Sequence, residues 1–146
     1  MPSAASDRPP HRLRSSRLLA LLAILASPAA GQGALTPGAF EAISEGQTLH
    51  FTHLGAPYGA EQFFAGRRSL WRHADGTCTE GRWWDEGEAI CFRYADAPAP
   101  QCWRFLPRPG GLAAELVEGG AGTGFVVEMS HADAEPLPCP GPKVGS

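Results

Sequence analysis

The sequence predicts an all-β domain: a small antiparallel meander of about eight strands, barrel-like or calycin-like, with one short N-terminal helix. Three observations support this prediction. Short strand-like runs alternate with turn sequences from Thr48 onwards, as in sandwiches and barrels. The joining loops are too short for parallel crossovers, so neighbouring strands should pair as hairpins. The chain also contains 18 glycines and 14 prolines, which suit a turn-rich meander. Whether the sheet closes into a barrel is left open.

Residues 1–30 have the three parts of a secretory signal peptide. A leader with four arginines precedes an unbroken apolar run at residues 18–26, and small residues at Ser27 and Ala29 suit cleavage after Ala29 or Ala30. The apolar run is too short to span a bilayer core of about 30 Å. We therefore expect a periplasmic or secreted protein that keeps no transmembrane segment after cleavage.

The charge of the predicted mature chain argues against one class of partner. Without the four arginines and one aspartate of the leader, eight basic and fourteen acidic residues remain, a formal charge of −6. A nucleic-acid-binding domain usually carries a basic surface, so we expect no nucleic-acid partner. The acidic residues are spread along the chain, which favours solubility over a particular partner.

The single helix is predicted at residues 37–45. Thr36 is a suitable N-cap, and Pro37 suits the first helical position. Gly46 can end the helix in a left-handed conformation. Phe40 and Ile43 share one face, so the helix should pack against a larger element.

Eight strands should follow the helix, with turn sequences between them. They are predicted at residues 48–53, 60–65, 69–73, 77–84, 88–94, 101–106, 112–118 and 125–131. Several alternate apolar and polar side chains with a period of two, as half-buried strands do. Residues 31–134 should form one β domain, and residues 135–146 a Pro/Gly-rich irregular tail.

The four cysteines are interpreted as two disulfides, as expected of an exported chain. Cys91 and Cys102 lie equally far from the middle of the turn "ADAPAP", so antiparallel pairing places them opposite each other. Cys78 and Cys139 remain and would tie the tail to the sheet. Pairing Cys78 with Cys91 fits less well, because a turn centred on Glu86 would place Cys78 opposite Tyr94. No Cys-x-x-Cys pair is present, so no metal site or cofactor is expected.

Part of the chain resembles a family of small exported bacterial proteins known as a domain of unknown function. The matching elements lie within residues 58–103: Tyr58-Gly59-Ala60-Glu61, Trp71, Gly81-Arg82-Trp83, Ile90 to Tyr94 and Cys102-Trp103. The resemblance implies export and a small β-rich domain. It implies no activity and therefore no catalytic residue.

Aromatic and basic side chains provide the candidate interaction surface. Trp83 and Trp84 are adjacent and should face opposite ways, with one in the core and one outside. Trp103 is expected in the core beside Ile90 or Phe92. The candidate surface residues are Trp84, Arg67, Arg68 and Tyr58, of which the two arginines follow a turn and suit an anionic envelope component.

Motifs for catalysis are scarce. The sequence lacks the nucleophile, zinc-protease and phosphate-loop signatures. His50 and His53 are three residues apart, which on a strand sends them to opposite faces. The acidic residues Asp85, Glu86 and Glu88 are typical of a tight turn, more so than of a carboxylate pair or a calcium site. No catalytic residue is predicted.

Three functional hypotheses remain. The first is a non-catalytic binding or interaction module whose partner is an envelope component. The second is a small barrel that carries an apolar ligand. The third, and least favoured, is an enzyme. A hollow barrel would favour the second hypothesis, and polar groups converging in one cleft would favour the third.

Overall fold

The computed structural model describes Met1 and residues 33–140, so the rest of the predicted leader and the end of the tail lie outside the described residues. The elements are α1 (Pro37–Ser44), β1 (Thr48–His53), β2 (Ala56–Phe64), β3 (Arg68–His73), β4 (Cys78–Glu86), β5 (Ala89–Tyr94), β6 (Gln101–Arg108), β7 (Gly111–Glu118) and β8 (Ala121–Asp133). Each strand pairs antiparallel with the next, and β8 pairs with β1. The predicted all-β fold with one short helix is confirmed, and the sheet closes into an eight-stranded barrel.

Helix α1 begins as the sequence predicts and ends one residue earlier, at Ser44. The Thr36 side chain accepts a hydrogen bond from the Ala39 N–H at 3.2 Å, and Gly46 is left-handed with φ 78°. Of the two residues expected to pack against the barrel, only Phe40 is buried, with 0% exposure. Ile43 is 48% exposed. The buried stripe runs instead through Phe40 and Ser44, which are four residues apart and so lie one above the other on a helix.

Phe40 closes one end of the barrel. Its ring lies 4.3–6.4 Å, centroid to centroid, from four inward-facing aromatic rings, which belong to Phe63, Trp83, Phe92 and Phe105. These four residues come from four different strands. The helix therefore acts as a plug, and we call this end of the barrel the base.

Polar contacts hold the helix over the base. The Leu35 N–H donates to the Phe105 carbonyl at 2.7 Å, and the Gly46 N–H donates to the Phe63 carbonyl at 3.0 Å. Arg67, in the turn between β2 and β3, donates to Asp85 at 2.8 Å and to Glu41 of the helix at 3.2 Å. These contacts join both ends of the helix and its middle to the barrel.

Strands β2 and β8 are longer than the sequence predicts. For β2 the sequence predicts residues 60–65, because Pro57 and Gly59 resemble turn residues. The strand instead spans Ala56–Phe64. The strand tolerates Pro57 because the β1–β2 register shifts there: Phe51 pairs with Gly59 and Thr52 with Pro57. Tyr58 is thus the extra residue of a β-bulge, where proline and glycine are commonly found.

The turn between β4 and β5 is centred one and a half residues beyond the predicted centre at Glu86. Glu86 pairs with Ala89, so the turn comprises Gly87 and Glu88, and Gly87 has φ 61°. A glycine with positive φ at the first turn position suits a two-residue hairpin. Tyr94 consequently lies opposite Gly81, so the expectation that it lies opposite Cys78 is wrong.

Both predicted disulfides are present. Cys91 and Cys102 bond across directly paired positions of β5 and β6. Cys78, at the start of β4, bonds to Cys139 in the tail. Within the described residues the tail has neither helix nor strand, but it is docked: the Thr48 hydroxyl donates to the Glu135 carbonyl at 2.7 Å. The Leu137 N–H donates to the Gln62 amide oxygen at 3.0 Å.

Candidate functional site

A cavity of about 190 Å³ lies inside the barrel, away from the helix. Its walls are mainly aromatic, formed by Phe51, Tyr58, Trp71, Phe92, Tyr94, Trp103 and Phe105. Asp96 and Gln101 also line the cavity and border solvent, so the cavity reaches the surface there. We call this end the mouth. The barrel is thus plugged at the base and hollow towards the mouth.

Glu61 is the buried acidic group in this cavity. It is 4% exposed and is the one acidic residue buried among the described residues. The Tyr94 hydroxyl lies 2.9 Å from both carboxylate oxygens and donates to them. Burial raises the pKa of Glu61 to about 7, although the hydroxyls of Ser69 and Tyr94 lower it. Near neutral pH the carboxyl therefore exists in both protonation states.

Tyr94 is the polar partner of Glu61 in the cavity wall. Burial, followed by the nearby Glu61 carboxyl, raises the pKa of Tyr94 well above its ordinary value of 10. The phenol therefore keeps its proton at neutral pH and can donate it in a hydrogen bond to the carboxylate. The pair forms one polar spot in a mainly aromatic wall.

Two glycines make room for the rings around Glu61. A Cβ at Gly59 would collide with the Trp71 ring, and a Cβ at Gly81 would lie 2.9 Å from the Tyr94 ring. Gly59 pairs with His73 on β3, and Gly81 pairs with Tyr94 on β5. The absence of side chains at these positions lets large rings fold over the inner face of the sheet.

The mouth is bordered by aromatic and titratable side chains. The β-bulge of β2 lets Tyr58 line the cavity, where its ring centroid lies 5.7 Å from those of Trp71 and Phe125. Burial raises the pKa of Tyr58. The Trp71 indole N–H donates to Nδ1 of His73 at 3.2 Å, and Nε2 of His73 lies 3.6 Å from Asp96. None of the described residues lining the cavity is lysine or arginine.

We expect replacement of Glu61 by glutamine to change how stability depends on pH. The carboxyl has a pKa of about 7 in the folded protein, above its ordinary 4.5. Its protonated form therefore stabilises the fold fully below about pH 4.5, and this contribution is lost as the pH rises through about 7. The loss is about 3 kcal/mol, and Glu61→Gln should remove it.

Urea unfolding between about pH 4 and pH 8 measures this effect as the difference in unfolding free energy between wild type and variant. Glu80→Gln, which changes an exposed residue of β4, should follow the wild-type curve. A constant difference between wild type and Glu61→Gln across this range would contradict the assignment of a buried carboxyl that titrates near neutrality.

The structure does not bring the four candidate surface residues together. Tyr58 lines the cavity, whereas Arg67 lies at the base, where its guanidinium carbon is 4.6 Å from the Trp83 ring centroid. Arg68 is exposed on β3. Trp84 is half-buried outside the barrel, and its indole N–H donates to Glu86 at 3.0 Å. Of this set, only Tyr58 belongs to the cavity.

The neighbouring aromatic predictions are confirmed. Trp83 is buried in the core beside Phe40, while Trp84 is outside. Trp103 is buried and pairs with Ile90 on β5. Of the acidic turn residues, Asp85 accepts a hydrogen bond from Arg67 and Glu86 accepts one from Trp84, so both have structural partners.

Two histidines, His50 and His131, form a cluster with Asp133 that the sequence does not predict. His50 lies opposite His131 across the β1–β8 ladder, and both rings approach Asp133, with Nε2–Oδ2 distances of 3.1 and 3.7 Å. The two rings stack with planes 10° apart. Their in-plane lone pairs therefore run nearly parallel and do not converge on one ion as metal ligation requires. His53 is separate and bonds the Val126 carbonyl at 2.8 Å.

Glu61 and Tyr94 are the residues that sequence reasoning missed. Both lie within the stretch that carries the family resemblance, but the resemblance assigns neither of them a role in binding or catalysis. Alternation places Glu61 on the same face as Phe63, and both are buried. A carboxylate on the apolar face of a strand is the signal that could have identified the site.

Comparisons with known proteins leave the family open. No protein-family model matches the chain, no curated protein matches it, and no solved structure matches it. The resemblance to the exported family therefore stays a prediction. Among the described residues, no helix is long and apolar enough to cross a membrane.

Proposed function

We propose that this barrel binds a small organic cation with an apolar body, held in the cavity with its charged end at Glu61. One observation carries the proposal: a buried carboxyl, hydrogen-bonded to Tyr94, faces an aromatic cavity whose described lining has no lysine or arginine. Binding is thus the favoured function, and the hollow barrel favours a ligand carrier over an interaction module without a ligand.

The size of the cavity limits the size of the ligand. Its volume of about 190 Å³ is below the roughly 300–1,000 Å³ of pockets that hold drug-sized ligands. The ligand, or the part of it inside the barrel, therefore has about the size of a substituted aromatic ring or a short alkyl chain.

The charge in the cavity favours a cation. Ionised Glu61 is unfavourable in an apolar cavity unless a counter-charge accompanies it. A ligand cation supplies that charge, and a carboxylate can accept further hydrogen bonds besides those from Tyr94. The faces of Tyr58, Trp71 and Trp103 attract cations, and Asp96 adds negative charge at the mouth.

NMR titration with three aromatic probes of similar size tests the proposal. Phenethylamine is a cation, 2-phenylethanol is neutral and phenylacetate is an anion. We expect phenethylamine to shift the Trp71 indole signal with a Kd of roughly 10 μM to 1 mM. The alcohol should bind about tenfold more weakly, and phenylacetate should not bind measurably.

The pH dependence and two variants identify the group that recognises the amine. Since binding of a cation requires ionised Glu61, affinity for phenethylamine should rise about tenfold from pH 6 to pH 8. Glu61→Gln should remove this rise and the preference for the amine, whereas Glu80→Gln should keep both. Four other titratable residues face the cavity, namely Tyr58, Tyr94, His73 and Asp96. Because Glu61→Gln leaves all four in place, a loss of the pH dependence in this variant identifies Glu61 as the responsible group.

The possible outcomes test the binding function and the positive charge of the ligand separately. Tighter binding of the alcohol or of phenylacetate would overturn the cationic ligand and keep the binding function. Binding of none of the probes at about 10 mM would overturn both, because even the weakest ligand efficiencies expected for such probes give detectable binding there.

Proton transfer is the second candidate function, and the pKa of about 7 at Glu61 favours it, because catalytic acids and bases work best near the ambient pH. Recovery of the probe or of a natural ligand unchanged after long incubation with the protein supports binding. Conversion that Glu61→Gln abolishes would support catalysis.

The proposed place of action is the periplasm or the cell exterior. Two disulfides are consistent with an oxidising compartment, and the predicted leader supports export. Mass spectrometry of the protein from the exported fraction would show whether residues 1–30 are removed.

A further inference from the structure

A row of three arginines crosses the outside of the barrel. Arg68 of β3 pairs directly with Arg82 of β4, which pairs directly with Arg93 of β5. All three are exposed. Their neighbours Ser69, Trp83 and Phe92 are buried, so alternation places the three arginines together on the outer face. We call them the arginine row.

This arrangement is unfavourable for the isolated protein. Directly paired positions hold their Cβ atoms about 4.5–5.5 Å apart, and like charges placed there repel each other. Within residues 33–140, no carboxylate oxygen lies within 4.0 Å of a guanidinium nitrogen of the row. By contrast, Arg67 and Arg104 have acidic partners. Within the described part of the chain, the arginines of the row therefore form no ion pair that would offset their mutual repulsion.

The row lines a groove that a ligand can enter. The groove has a volume of about 750 Å³ and is lined by all three arginines, together with Phe64, Leu70 and Glu80. The guanidinium carbon of Arg68 lies 5.7 Å from the Phe64 ring centroid. Glu80 is the acidic residue in the lining, so three positive charges face one negative charge, although the predicted mature chain is acidic overall.

We infer that the arginine row binds phosphate groups of an anionic ligand or surface. Guanidinium groups match phosphate oxygens with paired hydrogen bonds and are less strongly hydrated than ammonium groups. A phosphate seated between neighbouring arginines would turn their mutual repulsion into shared attraction. The three arginines face outward and none of them lines the cavity, so this inference does not rest on the proposed function.

Vesicle sedimentation and a phosphate titration test the inference and distinguish two sources of phosphate. The probes are phosphatidylglycerol vesicles, phosphatidylcholine vesicles and inorganic pyrophosphate. Arg82→Gln removes the centre of the row. Arg108→Gln changes an exposed arginine at the end of β6 and has the same effect on net charge, so it is the matched control.

We expect binding to phosphatidylglycerol vesicles but not to phosphatidylcholine vesicles, about tenfold weaker for Arg82→Gln and within about twofold of wild type for Arg108→Gln. Binding should weaken with added salt. Arg82-dependent binding of pyrophosphate without vesicle binding would support the same site with a soluble phosphorylated ligand.

Two results would overturn the inference. One is equal weakening by Arg82→Gln and Arg108→Gln, which would mean attraction by net charge alone. The other is no binding of vesicles or pyrophosphate at low salt. Urea unfolding tests whether Arg82→Gln misfolds. Because this substitution removes like-charge repulsion, the variant should be at least as stable as wild type.

Discussion

Phe40→Ala should destabilise the folded protein by about 3–5 kcal/mol, the range for removing a large buried aromatic side chain. Phe40 is fully buried and contacts aromatic rings from four strands. Its removal leaves a void at the base that these rings cannot readily fill, because they are held by strands in a closed barrel. Urea unfolding monitored by tryptophan fluorescence measures the change.

Ile43→Ala is the matched control for this prediction. Ile43 lies in the same helix, is also apolar and is 48% exposed, so its truncation should change the unfolding free energy by no more than about 0.5 kcal/mol. Similar losses for the two variants would contradict the plug and would indicate that the helix packs along the face that the sequence predicts.

Replacing Cys78 and Cys139 together with serine should cost about 4 kcal/mol in the chain-entropy description of disulfides. The bond joins residues separated by 61 positions, so it restricts the unfolded chain over more than half of the described residues. It also holds the tail, whose Leu137 is buried and bonded to Gln62. Loss of the bond should therefore both destabilise the fold and release the tail.

The other disulfide is the comparison for this experiment. Cys91 and Cys102 are separated by 11 positions, so the paired serine variant should lose about 3 kcal/mol. Hydrogen exchange should show new opening at residue 137 only when Cys78 and Cys139 are replaced. A larger loss from the Cys91–Cys102 pair would mean that packing around the buried Cys91 outweighs the difference in chain entropy.

Local patterns account for most of what could be predicted. The β1 bounds, the N-cap at Thr36 and the pairing of Cys91 with Cys102 each depend on residues close in the chain, and each is found in the structure. The errors arose where a residue is compatible with two local structures. Pro57 resembled a turn residue but lies in a bulged strand.

The candidate site could not be predicted from such local patterns. Glu61 and Tyr94 are 33 positions apart, and they meet because both side chains are buried inside the closed barrel, although β2 and β5 are not neighbouring strands. The β-bulge that lets Tyr58 line the cavity shows only in the strand register. The arginine row likewise depends on the registers of two hairpins.

The all-β class, the helix and the pairing of Cys91 with Cys102 follow from the sequence alone, because period-two alternation, capping residues and hairpin symmetry act over a few residues. Closure of the sheet, the plug that Phe40 forms at its base and the burial of Glu61 in a cavity are visible only in the folded structure. Those features depend on the pairing of β1 with β8, on the contacts of the helix with the strands and on contacts between strands that are not neighbours. Burial follows from closure, and it is burial that moves the pKa of Glu61 towards neutrality.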